Sequence, residues 1–405
     1  MPDAFSRRRF LTLSGRVAAA ATVGGLAVGG AARSWGGPFG GTPQPAGAAG
    51  APVAASGAGY GPPDLGRELR IGYLPITDAS TLLLAHQLGE FARAGVPSAR
   101  PVLFRGWDAL AQAFAAREVD VVHLLLPMAV QLRLERSIPV RIVSWGHTNG
   151  SALTVAPGVR DLAGLAGAKV AIPAWWSVHN LLLQAMLREA GLSASVRGAG
   201  GDVELVVMPP AEMVSALASG RIRGFVVAEP FNAAAEAQGV GHVLRYLGDV
   251  WRDHGCCGVA VHEELISEHP AVAQAAVTAI GAAADWLGGH RGDAAARLTG
   301  SAAPLPQPAP VVRAVHTRDA TSPGTLVRHP DWHGERFGVG GFPFPSATAS
   351  LVELMRQTSV DAPTEFLTGV AAASVHARLV DDRFIRAALV QRGRAVAPRT
   401  EEIVP

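Results

Sequence analysis

Cysteine is scarce in this chain. The 405 residues contain two cysteines, and both are in one adjacent pair, Cys256 and Cys257. A single pair cannot build the disulfide framework of a small secreted scaffold, and a disulfide between neighbouring residues is strained. One pair also lacks the second half of a four-ligand zinc site, although His254 lies two residues upstream. We therefore interpret the cysteines as two small buried thiols on a strand, with their oxidation state left open.

Lysine is almost absent, and the charge is nearly balanced. Lys169 is the only lysine, which removes most candidates for Schiff-base chemistry, and the formal net charge is +2. No Lys/Arg cluster follows a predicted helix face beyond the N-terminal segment, so the sequence predicts no nucleic-acid partner.

The N-terminal segment resembles an export signal. Ser6 and Arg7-Arg8-Arg9 precede Phe10-Leu11, and residues 17–32 carry no charge. This pattern predicts a twin-arginine signal over residues 1–35 and a periplasmic or extracellular location. The uncharged stretch is short for a bilayer span, no lipobox cysteine is near it, and the cleavage point is left open. Residues 36–66, rich in Gly, Ala and Pro, are predicted to form a flexible leader.

From residue 69 onward, apolar runs alternate with amphipathic segments. This alternation predicts an α/β fold with two lobes, each a mostly parallel sheet flanked by helices. The series includes strands at 69–74, 151–155, 169–172 and 224–227, and helices at 80–94, 177–190 and 210–218. We assign residues 67–153 and 258–393 to lobe I and residues 154–257 to lobe II, with the crossovers near 150–155 and 255–261. Residues 394–405 are predicted to be a frayed tail.

One strand-end loop has suggestive chemistry. Ser177 is a good N-cap for a helix that starts at Val178, which places His179 in a first turn with free backbone N–H groups. Such a helix end attracts anions. The alternative is that His179 satisfies a local carbonyl and that Trp175 and Trp176 fill an interface between the lobes.

Blocks along the chain resemble a known family. They are residues 72–79 (GYLPITDA), 106–107 (GW), 120–127 (DVVHLLLP), 149–150 (NG), 170–182 (VAIPAWWSVHNLL), 209–214 (PPAEMV), 251–257 (WRDHGCC) and 342–345 (FPFP). Together they are similar to the nitrate/bicarbonate-type periplasmic solute-binding proteins of ABC importers, which are related to the sulfonate and taurine binders. The resemblance implies a Venus flytrap of type II that closes on a small anion and delivers it to a permease with its ATPase. We expect a monomer that needs no cofactor, has no catalytic activity and has no metal-ligating residues of its own.

The resemblance also implies site residues. Trp107 and His179 match the pocket tryptophan and histidine of the family, and Ser151 stands where nitrate and bicarbonate binders have glutamine. We expect these three side chains to line one pocket. Secondary candidates in neighbouring strand-end loops are Thr77, Asp78, Asn149, Trp175 and Glu229.

The chain departs from nitrate binders at one position. Gly248 stands where they have a lysine, so the cation that would neutralise the anion is missing, and burying an unpaired anion is costly. Arg245 and Arg252 are the possible substitutes. The ligand, and whether a metal ion binds with it, are left open.

Two other functions are compatible with the same fold. A pyrimidine synthase of thiamin biosynthesis resembles it and uses histidine and cysteine in metal-dependent chemistry, although export, the single lysine and the two cysteines argue against that reading. A flytrap that docks on a receptor instead of a permease needs the same closure.

Overall fold

The computed structural model describes residues 59–198, 200–318, 325–329 and 336–404. The predicted signal over residues 1–35 lies outside these residues, as does the predicted leader up to residue 58. Both stay predictions.

The described chain alternates strands and helices. The strands are β1 Ile71–Tyr73, β2 Val102–Leu103, β3 Val121–Leu125, β4 Val140–Ser144, β5 His147–Asn149, β6 Ser151–Val155, β7 Lys169–Ile172, β8 Ala194–Ser195, β9 Val203–Val207, β10 Gly224–Ala228, β11 His242–Tyr246, β12 Cys257–His262 and β13 Phe337–Val339. The helices are α1 Ser80–Gln87, α2 Glu90–Arg93, α3 Trp107–Ala115, α4 Leu126–Leu134, α5 Val178–Glu189, α6 Pro210–Ala218, α7 Phe231–Ala237, α8 Leu247–Val250, α9 Glu263–Glu268, α10 Pro270–Gly289, α11 Arg291–Leu298, α12 Ala309–Thr317, α13 Pro345–Arg356, α14 Ala372–Leu379 and α15 Arg383–Gln391. Short 3-10 turns occupy Thr77–Ala79, Ala163–Leu165 and Glu365–Leu367.

Two sheets share one plan. The first has the order β2-β1-β3-β12-β4 and the second the order β11-β6-β10-β7-β9-β8. In the first sheet β12 runs antiparallel to both of its neighbours, and in the second sheet β6 does so. The remaining strand pairs in these sheets are parallel. The predicted fold of two mostly parallel sheets flanked by helices is therefore confirmed.

The chain changes sheet twice. It leaves the first sheet after β4 and enters the second at β6, and it returns between β11 and β12. At the first crossing β5 pairs with β13, a strand from far along the chain, in a separate two-stranded ribbon. The predicted lobe limits at residues 153/154 and 257/258 fall inside β6 and β12. The extent of each lobe stays a prediction.

Local signals explain most helix ends. The Ser177 hydroxyl accepts a hydrogen bond from the Asn180 N–H at 3.2 Å, and Gly191 follows α5 with φ 73°. The helix predicted over 80–94 is wrong in one respect, because it is split into α1 and α2. Gly89 has φ 74°, in the left-handed region that favours glycine, and it ends α1 before the chain turns into α2.

The hydrophobic core extends around both large sheets. One hydrophobic cluster contains Trp107 and Leu124 around the first sheet together with Leu153 and Phe225 of the second, and all four are buried. A second cluster surrounds α10. Within the described residues α10 is long and apolar enough to span a membrane, but 67% of its most apolar stretch is buried, and it packs against α1 and α15. It is therefore a core helix, in the cluster that also contains Ile71 and Val121 of the first sheet.

The frayed tail predicted for residues 394–405 stays a prediction, although Arg399, Glu402 and Ile403 contact the rest of the chain. The Glu402 side chain is 2% exposed. It accepts hydrogen bonds from the Trp251 indole at 2.8 Å and from the Ser346 hydroxyl at 2.7 Å, and it pairs with Arg399. Glu402 thus anchors a tail without glycine through side-chain contacts that a composition argument does not detect.

Replacing Glu402 with alanine is expected to lower the free energy of unfolding by about 1 to 3 kcal/mol, because the buried Trp251 indole and the partly buried Ser346 hydroxyl lose their acceptor. Chemical denaturation measures the change. The neighbouring Glu401 is exposed, and its alanine variant is the matched control, with an expected change within about 0.5 kcal/mol. Equal effects of the two variants would contradict a specific role of Glu402.

Candidate functional site

Polar side chains meet where the first sheet faces the second. Asp78 follows β1, His123 lies in β3, His147 lies in β5, and His179 is in the first turn of α5. We call the following residues the buried polar cluster, each at most 1% exposed: Asp78, His123, His147, Ser151, His179, His254, Cys256 and Cys257.

Short distances connect the cluster. The Ser151 hydroxyl lies 3.0 Å from Nε2 of His179, and the same nitrogen lies 3.7 Å from Sγ of Cys256. The two cysteine sulfurs are 3.9 Å apart and both thiols are free. Nε2 of His147 lies 3.3 Å from Oδ2 of Asp78. The cysteines are buried at the start of a strand, as interpreted from the sequence, but they also belong to this polar cluster.

Many polar atoms of the cluster lack a hydrogen-bond partner among the described residues. They are both carboxylate oxygens of Asp78, both ring nitrogens of His123 and of His147, Nδ1 of His179 and Nε2 of His254. Buried polar atoms are normally paired, because leaving them unpaired costs about 1 to 3 kcal/mol each. The unpaired polar atoms therefore mark the cluster as a candidate binding site.

Burial keeps the imidazoles uncharged. It lowers the pKa of His147 to about 4, lowers the pKa of His123 well below its ordinary value and also lowers the pKa of His254. Burial, together with the neighbouring Cys256, raises the pKa of Asp78 well above its ordinary value. Near neutral pH these imidazoles present lone pairs and carry no positive charge. These groups suit a cation better than a bare anion.

The two thiols differ in the direction in which their pKa is shifted. Burial alone would raise the pKa of Cys256, but the Cys257 thiol and the His179 imidazole lower it below that of an ordinary thiol. Burial and the adjacent sulfur raise the pKa of Cys257. Cys256 is thus the thiol that more readily becomes a thiolate.

Glu229, a secondary candidate, is already committed to protein partners. One of its oxygens accepts from Nε of Arg336 at 2.6 Å and the other from the Ala233 N–H at 3.0 Å. Arg336 also pairs with Glu236 at 3.0 Å and lies over the Tyr246 ring. The Glu229 carbonyl accepts from the Thr77 N–H at 2.8 Å. This arrangement, which we call the Glu229–Arg336 pair, connects the segment after β1 of the first sheet with the segment after β10 of the second.

Asn149 and Thr77 have different surroundings. Asn149 has φ 59° and donates to Asp253 at 3.2 Å, so its contacts shape the first crossing. It is followed by Gly150 at φ 81°, where a Cβ would lie 3.0 Å from Oδ1 of Asp78. Thr77 is buried, and its hydroxyl has no hydrogen-bond partner among the described residues.

Trp107 and Trp175 line a cavity of about 270 Å³, whose wall is formed by α3 and α4 beside the first sheet and by the end of β9 and the start of α6 in the second. Trp107 is the first residue of α3, Pro210 is the first of α6, and the segment with Trp175 precedes α5. The buried indole N–H groups of Trp107 and Trp176 lack an acceptor among the described residues. Ser151 and His179 do not line this cavity. The prediction that they share one pocket with Trp107 stays a prediction.

Arg245, one possible replacement for the missing lysine, is already paired. Its Nε lies 3.0 Å from Oδ2 of Asp249, and its guanidinium lies 3.6 Å from Glu189. Gly248 itself is buried in α8. The charge of Arg245 is therefore balanced within the protein.

Comparison with known proteins identifies the family. The sequence profile of the NMT1-like family matches residues 64–300. The chain belongs to the NMT1-like family. One related protein is the nitrate/nitrite binding protein NrtA of Nostoc, which is 28% identical to this NMT1-like protein over 69% of this chain and 66% of the relative. The nitrate import ATP-binding protein NrtC of Synechocystis is 29% identical over 55% of this chain and 35% of the relative. The chain thus spans about one third to two thirds of the length of these relatives.

The solved structures agree on the fold of this NMT1-like protein. The periplasmic nitrate-binding protein NrtA of Synechocystis superposes with a TM-score of 0.69 at 19% identity, over 80% of this chain and 88% of that one. The two-lobed binding-protein fold and the resemblance to nitrate-type binders are confirmed. The twin-arginine signal stays a prediction.

Sequence reasoning missed several residues of the site. His123 and His147 each lie singly in a short strand, and Arg336 lies far from its partner Glu229 in sequence. No local spacing marks them. For His254 the sequence offers one signal, its position two residues before the cysteine pair.

Proposed function

We propose that this NMT1-like protein is the extracytoplasmic solute-binding component of an ABC importer, which captures a small anion between its two lobes and delivers it to a permease. The observation that carries the proposal is the cavity at Trp107 and Trp175, where elements of both sheets meet. We place the anion there and treat His179 as a further candidate contact.

The cavity is suited to a compact oxyanion. The N-terminal ends of α3 and α6 contribute residues to its wall, and helix N-termini favour negative charge through their dipoles and free N–H groups. The indoles of Trp107 and Trp176 are donors only and need acceptors. Asp108, which is exposed, is the carboxylate on the wall. These dipoles and donors replace the lysine that Gly248 does not supply.

Size favours a small ligand. About 270 Å³ is at or below the lower end of the range for drug-sized ligands, roughly 300 to 1,000 Å³. Nitrate, nitrite, bicarbonate and short sulfonates are candidates of suitable size and charge. The protein would bind them without chemical change, as a monomer outside the cytoplasm. A membrane permease with an ATP-binding subunit would be its partner, and the similarity to NrtC supports a nitrate-type import system.

Adding the cognate anion is expected to raise the melting temperature in a concentration-dependent way, because a ligand that binds only the native state stabilises it. A thermal-shift panel with nitrate, nitrite, bicarbonate with and without calcium, taurine and alkanesulfonates identifies it. Calorimetry on Trp107→Phe, which keeps an aromatic side chain of smaller size and removes the N–H donor, should show a loss of about 1 to 3 kcal/mol, or about 5- to 150-fold in affinity. Trp286→Phe is the matched control, since Trp286 lies in α10, outside the cavity.

His179→Ala tests whether His179 belongs to the same pocket. A similar loss of affinity would place it there, and unchanged calorimetric binding would remove it from the site. A panel in which no anion shifts the melting temperature while a neutral amine or an aromatic compound does would contradict the proposed ligand class.

A further inference from the structure

Two sets of donor atoms overlap within the buried polar cluster. In one, the donor atoms of His123, His147 and Cys257 lie within 4.8 Å of one another, and in the other those of Asp78, Cys256 and Cys257 do so. Cys257 belongs to both sets. We propose that these five residues form a binding site for one zinc ion, with Asp78, His147, Cys256 and Cys257 as ligands and His123 as a neighbouring fifth donor.

Two separations between donors match those of a tetrahedral zinc site. With zinc–sulfur bonds of about 2.3 Å, two sulfurs on one zinc lie about 3.8 Å apart, and nitrogen and oxygen ligands at about 2.0 to 2.2 Å lie about 3.4 Å apart. The two cysteine sulfurs are 3.9 Å apart, and His147 Nε2 and Asp78 Oδ2 are 3.3 Å apart. Both pairs are already at ligand spacing.

The lone pairs need a partner of positive charge. The carboxylate oxygens of Asp78 and the ring nitrogens of His123 and His147 are buried without a hydrogen-bond partner among the described residues. The 3.3 Å contact between His147 and Asp78 does not have the geometry of a hydrogen bond. A metal ion accepts several of these lone pairs at once.

The kinds of donor select the metal. Two thiols and two imidazoles are soft or borderline ligands that suit zinc, whereas calcium and magnesium require sets of oxygen ligands. In this cluster only Asp78 offers carboxylate oxygen. The site is therefore specific for a thiophilic ion.

The backbone holds the donors in place. Asp78 follows β1, His123 is in β3, Cys257 begins β12 directly after Cys256, and His147 is in β5, so the ligands come from three neighbouring strands of the first sheet and the ribbon strand β5. The His147 ring stacks on Phe337 with centroids 5.4 Å apart, and Cys256 contacts His179 of the second half. Such surrounding contacts orient metal ligands. The site is non-local in sequence, which explains why the cysteine pair predicted no metal.

The test uses the full chain, reduced and freed of metal, and titrated with Zn²⁺ and with Co²⁺ as a spectroscopic substitute. We expect one metal ion per chain by native mass spectrometry, thiolate-to-cobalt charge-transfer bands and the visible absorption of tetrahedral cobalt. Cys257→Ser and His147→Gln should each weaken zinc binding by at least about 100-fold in a chelator competition, since changes to second-shell partners alone cost 10- to 100-fold.

His262→Gln is the matched control, because His262 is a buried histidine that bonds to the Phe114 carbonyl outside the cluster. It should bind zinc within about twofold of the wild type. Native mass spectrometry and the cobalt spectrum of the wild-type chain decide the case even where a variant fails to fold. The absence of stoichiometric metal in the reduced wild-type chain, or cobalt bands without thiolate character, would overturn the proposal. So would a Cys256–Cys257 disulfide whose reduction restores no metal binding. These readouts involve no anion, so the outcome is independent of the proposed transport function.

Discussion

Replacing Arg336 with methionine is expected to lower the free energy of unfolding by about 3 to 5 kcal/mol. Arg336 is 1% exposed, and its guanidinium pairs with Glu229 and Glu236. Methionine fills much of the volume but leaves the fully buried Glu229 carboxylate without its cation, and removing one partner of a buried pair costs about this much. Denaturation by urea, monitored by circular dichroism, measures the change.

Two further variants separate charge from packing. Glu229→Gln combined with Arg336→Met removes both charges and should recover a large part of the loss, because no buried charge then lacks a partner. Arg386→Met breaks an ion pair with Asp382 whose arginine is about half exposed, and it should cost less than about 1 kcal/mol. A double variant as unstable as the two single variants added together would show that packing, rather than the unpaired charge, causes the loss.

Acid is expected to destabilise the protein through His316. This histidine is 2% exposed, its Nε2 lies 3.3 Å from the Ser80 hydroxyl, and its ring packs edge-on against Phe337. Burial, with a smaller effect of the nearby Arg291, lowers its pKa to about 3. In the unfolded chain a histidine has a pKa of about 6.5. Between these values the unfolded chain binds a proton that the folded chain does not. The contribution of neutral His316 to the free energy of unfolding is therefore complete above pH 6.5 and is lost as the pH falls toward 3.

The size of this effect follows from linkage. Two pH units below 6.5, His316 should account for about 2.7 kcal/mol of lost stability. His316→Gln does not titrate in this range, so the difference in unfolding free energy between wild type and variant should shrink by about that amount from pH 7.5 to pH 4.5. Ser80→Ala removes the hydroxyl partner but keeps the histidine, and should retain the pH dependence of the wild type. A difference between wild type and His316→Gln that is constant with pH would refute the assignment.

Elements with local signals could be predicted from the sequence. The strands 151–155 and 169–172 and the helix 210–218 have the predicted bounds in the structure, because β-branched runs, Pro210 and flanking glycines mark their ends. The N-cap at Ser177 is confirmed by its hydrogen bond. The split at Gly89 was missed because a glycine within a helical pattern can either be tolerated or end the helix, and only its φ distinguishes the two.

Most of the candidate site could not be predicted from the sequence, because its side chains meet through long-range contacts that leave no pattern in the neighbouring residues. His147 and Asp78 are 3.3 Å apart but far apart in sequence. His123 is a single histidine in the apolar strand β3, and such a residue is indistinguishable by pattern from an ordinary core histidine. Family resemblance directed attention to Trp107 and His179, which the structure places at the cavity and in the buried polar cluster respectively. It did not indicate that Asp78 and the cysteines face each other. Distances, rather than motifs, reveal that arrangement.

The position of β12 in the sheet affects how the chain folds while it is being synthesised on the ribosome. In the described sheet β12 lies between β3 and β4 and pairs with both. When residues 121–144 leave the exit tunnel, the strand that joins them has not yet been translated. The edge of β3 that pairs with β12 therefore has no partner from β12 while more than a hundred residues, including the whole second sheet, are synthesised. The insertion of one half into the other makes the nascent chain vulnerable to aggregation until residue 262 emerges, and it favours protection of this edge by a chaperone during translation.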